Sequence, residues 1–281
     1  MYPLVSTQWL EDNLNDPNLV VLDLRGHLLP ATDPLPHYFS HHNEYRESHI
    51  PGAQFVDWIS DITVDGTNDM HIAPPDKFAA LMTRLGISDG VVVIAYDDYG
   101  GIFAARMWWA LNYYGHSQVA VLNGGWKAWE AEGRPVTDVV PVEERREPFE
   151  PRPNEDIRRT KEQVYMSLNG PARLLDVRSP SEFRGEISRG VRKGHIPGAV
   201  NLPVKEEFTG PDGLLLDPDA LRARFEAAGV TDDSEEVITY CNSGVSSSLG
   251  LLAYRAAGFE GGAVYDGSWK DWAHDESLPV E

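Results

Sequence analysis

The sequence is short of cysteine, of positive charge and of long hydrophobic runs. One cysteine in 281 residues excludes an intrachain disulfide, which agrees with a reducing compartment and leads us to expect a cytoplasmic protein. Lys and Arg number 24 against 44 Asp and Glu, a net charge of -20, which argues against nucleic acid or an anionic membrane as a main partner. No apolar run approaches the roughly 20 residues of a membrane-spanning helix, and the N-terminal residues lack the pattern of a signal peptide.

What the chain does contain is an internal repeat. The pentapeptide HIPGA begins at His49 and again at His195. Each copy is preceded by a short run, VVLDLR at 20–25 or LLDVR at 174–178, and each is followed by a second apolar run, VVVIAY at 91–96 or EVITY at 236–240. Each copy ends with a similar segment, LNGGWKAW in the first and YDGSWKDW in the second. Four landmarks in the same order indicate two copies of one structural unit.

The stretch between the copies, 137–155, is rich in proline and charge and is predicted to be a linker. The first domain is therefore expected at 1–136 and the second at 156–281. Within each, apolar β-branched runs alternate with helix-like segments that open with proline and close with glycine, as at 74–86 and 217–229. This alternation predicts an α/β fold: two domains, each with a mainly parallel central sheet flanked by helices on both faces.

Cys241 directly follows the predicted strand EVITY and precedes an apolar, helix-like segment. In such a turn Gly244 permits a tight curl of backbone, N–H groups converge, and a helix N-terminus favours the thiolate. A lone cysteine is more often a small buried hydrophobe, but this Gly/Ser-rich turn favours a reactive nucleophile. Asp97 stands at the matching position of the first copy, so the first domain is expected to lack covalent chemistry.

Together these motifs resemble the tandem-domain rhodanese family, the thiosulfate and 3-mercaptopyruvate sulfurtransferases. The resemblance covers nearly the whole chain, including DVRSPSEFRGE, both HIPGA segments and YDGSWKDW. It implies an inactive N-terminal domain and a C-terminal Cys241 that carries sulfur as a persulfide. The implied donors are thiosulfate or 3-mercaptopyruvate, and the implied acceptors are cyanide or a thiol, a thioredoxin-like protein among them. No metal or organic cofactor is expected.

The resemblance also implies roles for other residues. The loop CNSGVS has no basic residue and is similar to the mercaptopyruvate type, in which Ser243 would relay protons with His71 and an aspartate of the first domain, Asp57 or Asp61. The implied substrate-binding residues are the remaining loop positions and three arginines: Asn242, Gly244, Val245, Ser246, Arg189, Arg184 and Arg106.

The residues expected to bind an anion match the mercaptopyruvate type only in part. Arg189 matches one of the two arginines that the mercaptopyruvate type places just before the second HIPGA, but Glu182 stands where the other is expected. Arg184 is the nearest replacement, and Arg106 is expected to point toward a site between the domains. The preferred donor stays open at this point.

The sequence also bears on two other classes of function. A cysteine phosphatase needs an arginine about six residues after the cysteine to grip phosphate, but position 247 is serine and no arginine follows until Arg255. A non-catalytic binding or thiol-sensing module agrees less well with an intact cysteine loop, although Glu182 keeps that alternative open.

Overall fold

The computed structural model describes residues 1–65, 70–142 and 147–281. In the first half of the chain, short strands alternate with helices. The strands are β1 (Leu4–Val5), β2 (Leu19–Asp23), β3 (Gly26–Leu28), β4 (Tyr38–Ser40), β5 (Gln54–Phe55), β6 (Val92–Tyr96) and β7 (Val119–Leu122). The helices are α1 (Thr7–Asn13), α2 (His42–Glu47), α3 (Pro75–Arg84), α4 (Ile102–Tyr113) and α5 (Gly125–Ala131).

The second half repeats this arrangement. After a 3-10 turn (Glu155–Ile157), its strands are β8 (Arg158–Arg159), β9 (Arg173–Asp176), β10 (Val200–Asn201), β11 (Val237–Tyr240) and β12 (Ala263–Tyr265). Its helices are α6 (Lys161–Ser167), α7 (Pro180–Phe183), α8 (Val204–Glu207), α9 (Pro218–Ala227), α10 (Val245–Ala256) and α11 (Ser268–His274).

Each half forms one parallel five-stranded sheet. The order in the first is β1-β7-β6-β2-β5, and in the second, read from the matching edge, it is β8-β12-β11-β9-β10. All pairings within these two sheets are parallel. The identical order confirms the predicted fold class. The limits 1–136 and 156–281, with 137–155 as linker, remain our proposed domain boundaries.

Local sequence explains where the helices begin. The two proline-led segments form α3 and α9, as predicted, each with proline in its first turn. Asp217 caps α9 by accepting a hydrogen bond from the Ala220 N–H at 2.8 Å, and Ser6 caps α1 in the same way. Among the described residues, no helix combines the length and the apolar character needed to cross a bilayer.

The two domains share one hydrophobic core because helices α4 and α10 pack against each other. Both helices are buried along almost their whole length, and each contains a single charged residue, Arg106 in α4 and Arg255 in α10. Since α4 and α10 each follow the central strand of their sheet, their N-termini and the preceding loops lie at the junction of the domains. A third, two-stranded sheet, the antiparallel hairpin β3–β4, belongs to the first domain only.

Candidate active site

Cys241 lies at the carboxyl end of β11, in the loop that leads into α10. The turn depends on Gly244, which has a left-handed φ of 80° and whose added Cβ would lie 2.5 Å from the Asp266 carbonyl oxygen. Cys241 is only 4% exposed, and it lines a cavity of about 560 Å³ that both domains enclose. The loop residues Asn242, Ser243, Val245 and Ser246 also line this cavity, whereas Gly244 does not.

Ser268 anchors the loop from the neighbouring strand end. Its Oγ accepts hydrogen bonds from the N–H groups of Cys241 (3.2 Å) and Gly244 (3.0 Å), donates to the Tyr265 carbonyl (2.8 Å) and lies 3.9 Å from Cys241 Sγ. Ser268 has a φ of 55°, the left-handed region that favours glycine. Gly125 stands at the matching place in the first copy with a φ of 54°. Sequence reasoning missed Ser268; the change from GGW to GSW was its signal.

The matching loop of the first domain holds an anion of its own. The Asp97 carboxylate accepts four backbone hydrogen bonds, from the N–H groups of Tyr99, Gly101 and Phe103 at 2.8 Å and of Ala104 at 3.0 Å. Burial raises the pKa of Asp97, and these hydrogen bonds oppose that rise. The loop of the first domain therefore gathers N–H groups around the Asp97 carboxylate, whereas in the second domain the N–H groups of Cys241 and Gly244 donate to Ser268 Oγ.

Ser243 separates the main cavity from a small cavity behind the loop, which His71 and Asp266 also line. His71 Nδ1 lies 3.5 Å from Asp266 Oδ2. The expected partners of His71 were wrong: Asp57 Oδ1 accepts from the Ile59 N–H and Asp61 Oδ2 from the Asp57 N–H, both at 3.0 Å, within their own turn. The aspartate beside His71 thus comes from the second domain.

Asp266 is a buried junction of charges from several parts of the chain. Its Oδ1 lies 2.6 Å from Arg106 Nη2, and its Oδ2 accepts from the Ile72 N–H at 3.2 Å and lies 3.2 Å from Arg158 Nη2. Burial acts to raise the pKa of this carboxyl, but Arg106, His71 and Arg158 hold the pKa well below its usual range. The site therefore contains a permanent buried carboxylate.

Arg106 supports the cysteine loop from beneath and does not line the cavity, so its predicted contact with substrate is not supported by this geometry. Its side chain is 1% exposed. Besides contacting Asp266, the guanidinium donates to the carbonyl oxygens of Gly244 (3.2 Å) and Met70 (2.7 Å) and lies over the ring of Trp109. The guanidinium is thus held within the protein, beneath the cysteine loop and outside the cavity lining.

Arg189 does reach the cavity, and Glu182 lies beside it. Arg189 Nη2 donates to the Leu29 carbonyl at 2.6 Å, and its Nε lies 3.7 Å from Glu182 Oε1. Glu182 Oε1 also accepts from Asn242 Nδ2 at 2.7 Å. Arg189 Nη1 and Asn242 Oδ1 are buried without a hydrogen-bond partner in the described structure. Both atoms are inaccessible to solvent, so neither is presented at the surface of the cavity.

Arg184, the predicted replacement for the missing arginine, is not in the cavity. Its side chain is 58% exposed and pairs with Glu186 at 2.7 Å. This expectation was wrong because the C-terminal end of the short helix α7 directs Arg184 outward, while its first turn directs Glu182 inward.

Tyr38, on the β3–β4 hairpin, closes the cavity from the first domain. Burial raises the pKa of Tyr38, while the neighbouring Ser243 side chain acts to lower it. Sequence reasoning missed this residue, although it lies in the segment between β2 and HIPGA that is longer in the first copy. Within the described ranges, no cluster of three His, Cys, Asp or Glu side chains has the geometry of a metal site.

Comparison with known proteins agrees with this architecture. A family model described as "Rhodanese-like domain" matches the chain twice, at 6–132 and 160–275. The sulfur carrier protein TtuD of Thermus thermophilus is 34% identical, covering 99% of this chain and 95% of that protein. The thiosulfate sulfurtransferase of Bos taurus is 35% identical, covering 96% and 92% respectively.

A mercaptopyruvate enzyme is similar in both sequence and structure. The 3-mercaptopyruvate sulfurtransferase of Escherichia coli K12 is 32% identical, covering 99% of this chain and 97% of that protein. The crystal structure of SseA from Escherichia coli, a 3-mercaptopyruvate sulfurtransferase, superposes with a TM-score of 0.82 and 29% identity, covering 96% of this chain and 99% of that one.

Proposed function

The chain belongs to the rhodanese family and is a sulfurtransferase, and from this premise we propose that it carries sulfur as a persulfide on Cys241. The observation that carries the proposal is the position of Cys241, which opens into the interdomain cavity at the N-terminus of the twelve-residue helix α10. N–H groups in the first turn of a helix have no partner within the helix, and they stabilise an anion there. A thiolate and an anionic persulfide both meet that requirement.

In the proposed first step, the Cys241 thiolate attacks the outer sulfur of the donor. With 3-mercaptopyruvate the C–S bond breaks, its electron pair stays on the methylene carbon as the pyruvate enolate, and one proton restores the methyl group. With thiosulfate the S–S bond breaks and sulfite leaves with the electron pair. In the second step cyanide or a thiolate takes the outer sulfur and Cys241 returns to the thiolate.

Ser243 and His71 are the residues that we propose move the proton. Ser243 lines the main cavity and the smaller one that contains His71, so a proton passing between the two cavities meets the serine hydroxyl. Asp266 stabilises a positive charge on the His71 ring. Tyr38 adds a second hydroxyl to the cavity wall that Ser243 also lines.

For substrate recognition, we propose that Arg189, whose side chain lines the cavity, binds the anionic part of the donor. The loop residues Asn242, Val245 and Ser246 form the wall against which the transferred sulfur lies. For the acceptor, a cytoplasmic thiol such as a thioredoxin-like protein fits a site whose only cysteine must stay reduced.

The phosphatase alternative is not favoured by the position of Arg255. That residue lies in the last turn of α10, roughly 15 Å from the loop at a rise of about 1.5 Å per residue. Ser247, six residues after the cysteine, is buried and supplies no cation.

The test is mass spectrometry of the intact chain after treatment with each donor and removal of excess donor. We expect the wild-type chain to gain the mass of one sulfur atom and to lose it on addition of cyanide or a dithiol. The matched control is Cys241→Ser, which keeps the shape of the loop and removes the only thiol. A persulfide adduct absent from the wild type, or present equally in the serine variant, contradicts the proposal.

A further inference from the structure

The cavity that contains Cys241 carries a fixed carboxylate that the sulfur-transfer chemistry does not use. Glu182 is held from both oxygens: Oε2 accepts from Ser179 Oγ at 2.7 Å, and Oε1 accepts from Asn242 Nδ2 at 2.7 Å. Ser179 and Glu182 form the capping box of helix α7. Because its helix cap and the cysteine loop both hold Glu182, its charge cannot swing out of the cavity when a donor enters.

Glu182 lies beside Arg189, one of the cations in the cavity wall. Its Oε1 lies 3.7 Å from Arg189 Nε, and both side chains are less than one-fifth exposed. At that separation and burial the carboxylate cancels much of the attraction that the guanidinium would exert on an incoming anion.

The charges around the cavity are otherwise close to balanced. Four cationic side chains line it: Lys127, Arg178, Arg189 and Lys205. Three carboxylates offset them, namely Glu182 and Glu206 in the cavity wall and Asp176, which is paired with Arg178 at the base. With the Cys241 thiolate of the proposed function as a fourth negative charge, the sum is zero, so no positive charge is left over to offset Glu182. A dianion therefore meets more repulsion from Glu182 than a monoanion does.

We propose that Glu182 is a specificity-determining residue that favours singly charged sulfur donors, such as a thiol bearing one carboxylate, over doubly charged donors such as thiosulfate. This inference rests on the proposed function, because it concerns the donor that loads Cys241. Removing the Glu182 charge lowers the repulsion on a dianion more than on a monoanion, so the ratio of the two activities must change.

The test compares kcat/KM for thiosulfate and for 3-mercaptopyruvate at pH 7 and constant ionic strength, in the wild type and in Glu182→Gln. Glutamine keeps the size of the side chain and is itself a capping-box residue, so α7 is retained. We expect the ratio of kcat/KM for thiosulfate to that for 3-mercaptopyruvate to rise about tenfold, which corresponds to about 1.4 kcal/mol. The rise should shrink as salt is added, since added ions screen the charge.

The matched control is Glu186→Gln. Glu186 lies four residues further along, is 55% exposed and pairs with Arg184 outside the cavity. Its loss changes the net charge of the chain equally, so an unchanged donor ratio in this variant assigns the effect to the cavity. A ratio that rises as much in Glu186→Gln as in Glu182→Gln overturns the inference.

The outcomes separate the inference from the function on which it rests. If Glu182→Gln forms the persulfide with both donors and its donor ratio equals that of the wild type, the inference is wrong and the proposed function stands. If no variant forms a persulfide with either donor, the proposed function fails and the inference fails with it. A loss of activity that is equal for both donors shows that Glu182 has a structural role only.

Discussion

Asp266→Asn is the substitution whose effect the structure specifies most fully. The asparagine keeps the size of the side chain but removes the negative charge from a group that is 1% exposed. Arg106, equally buried, then loses its only charged contact among the described residues, and Arg158 and His71 lose theirs with Asp266. The amide nitrogen also places a donor among groups that are themselves donors. The variant therefore leaves a buried guanidinium charge without a counter-charge.

Breaking a buried ion pair from one side costs about 3–5 kcal/mol, a large part of the roughly 5–15 kcal/mol that stabilises a typical folded protein. We expect Asp266→Asn to lose about that much in urea unfolding followed by tryptophan fluorescence. The double variant Arg106→Met/Asp266→Asn should recover part of the loss, because it removes the uncompensated charge as well.

The matched control is Asp89→Asn, the same substitution at an exposed aspartate that pairs with Arg152. Exposed pairs contribute about 0–1 kcal/mol, so this variant should unfold close to the wild type. If Asp266→Asn loses no more stability than Asp89→Asn, the account of Asp266 as a buried junction is refuted.

The pH dependence of the same variant gives a second test. The folded-state pKa of Asp266 is held below its usual value, so its contribution to stability is present above the unfolded pKa, near 3.9, and is lost as pH falls toward the folded pKa. The difference in unfolding free energy between the wild type and Asp266→Asn should shrink as pH falls below about 5. A difference that grows as pH is lowered from about 5 contradicts this sign.

Two further predictions concern the two loops. Gly244→Ala should abolish sulfur transfer and destabilise the fold by more than Gly258→Ala, because both glycines have a left-handed φ but only the Gly244 Cβ meets neighbouring atoms; equal midpoints in thermal unfolding would show that backbone strain alone matters. Asp97→Asn should cost about 2–3 kcal/mol, because an amide nitrogen would face two of the four N–H donors and leave them unpaired; a loss below about 0.5 kcal/mol in urea unfolding would contradict this account.

Much of the architecture could be predicted because the sequence patterns that indicate it are local and occur twice in the chain. The runs ending at Arg25 and Arg178 form the equivalent strands β2 and β9, and the proline-led segments form α3 and α9. Cys241 could be identified as well, because it lies in a Gly/Ser-rich turn between a strand and a helix. In a parallel sheet, the carboxyl ends of the strands and the N-termini of the following helices lie at the same edge, where ligands bind.

The partners of the site residues were decided by tertiary structure alone. His71 contacts Asp266, which lies almost two hundred residues away in the chain, because helices α4 and α10 pack together and bring the two loops into contact. Neither spacing nor composition distinguishes Arg189, which reaches the cavity, from Arg184, which points to solvent.

The sequence by itself therefore determined the repeated fold, the position of the thiol and its absence from the first domain. The tertiary structure decided which charges surround that thiol. The physical reason is the distance along the chain over which each feature is encoded. Hydrophobic periodicity, helix caps and turns depend on residues within a few positions of each other in the sequence. Electrostatic partners depend instead on which side chains the packing of the fold brings within a few ångströms.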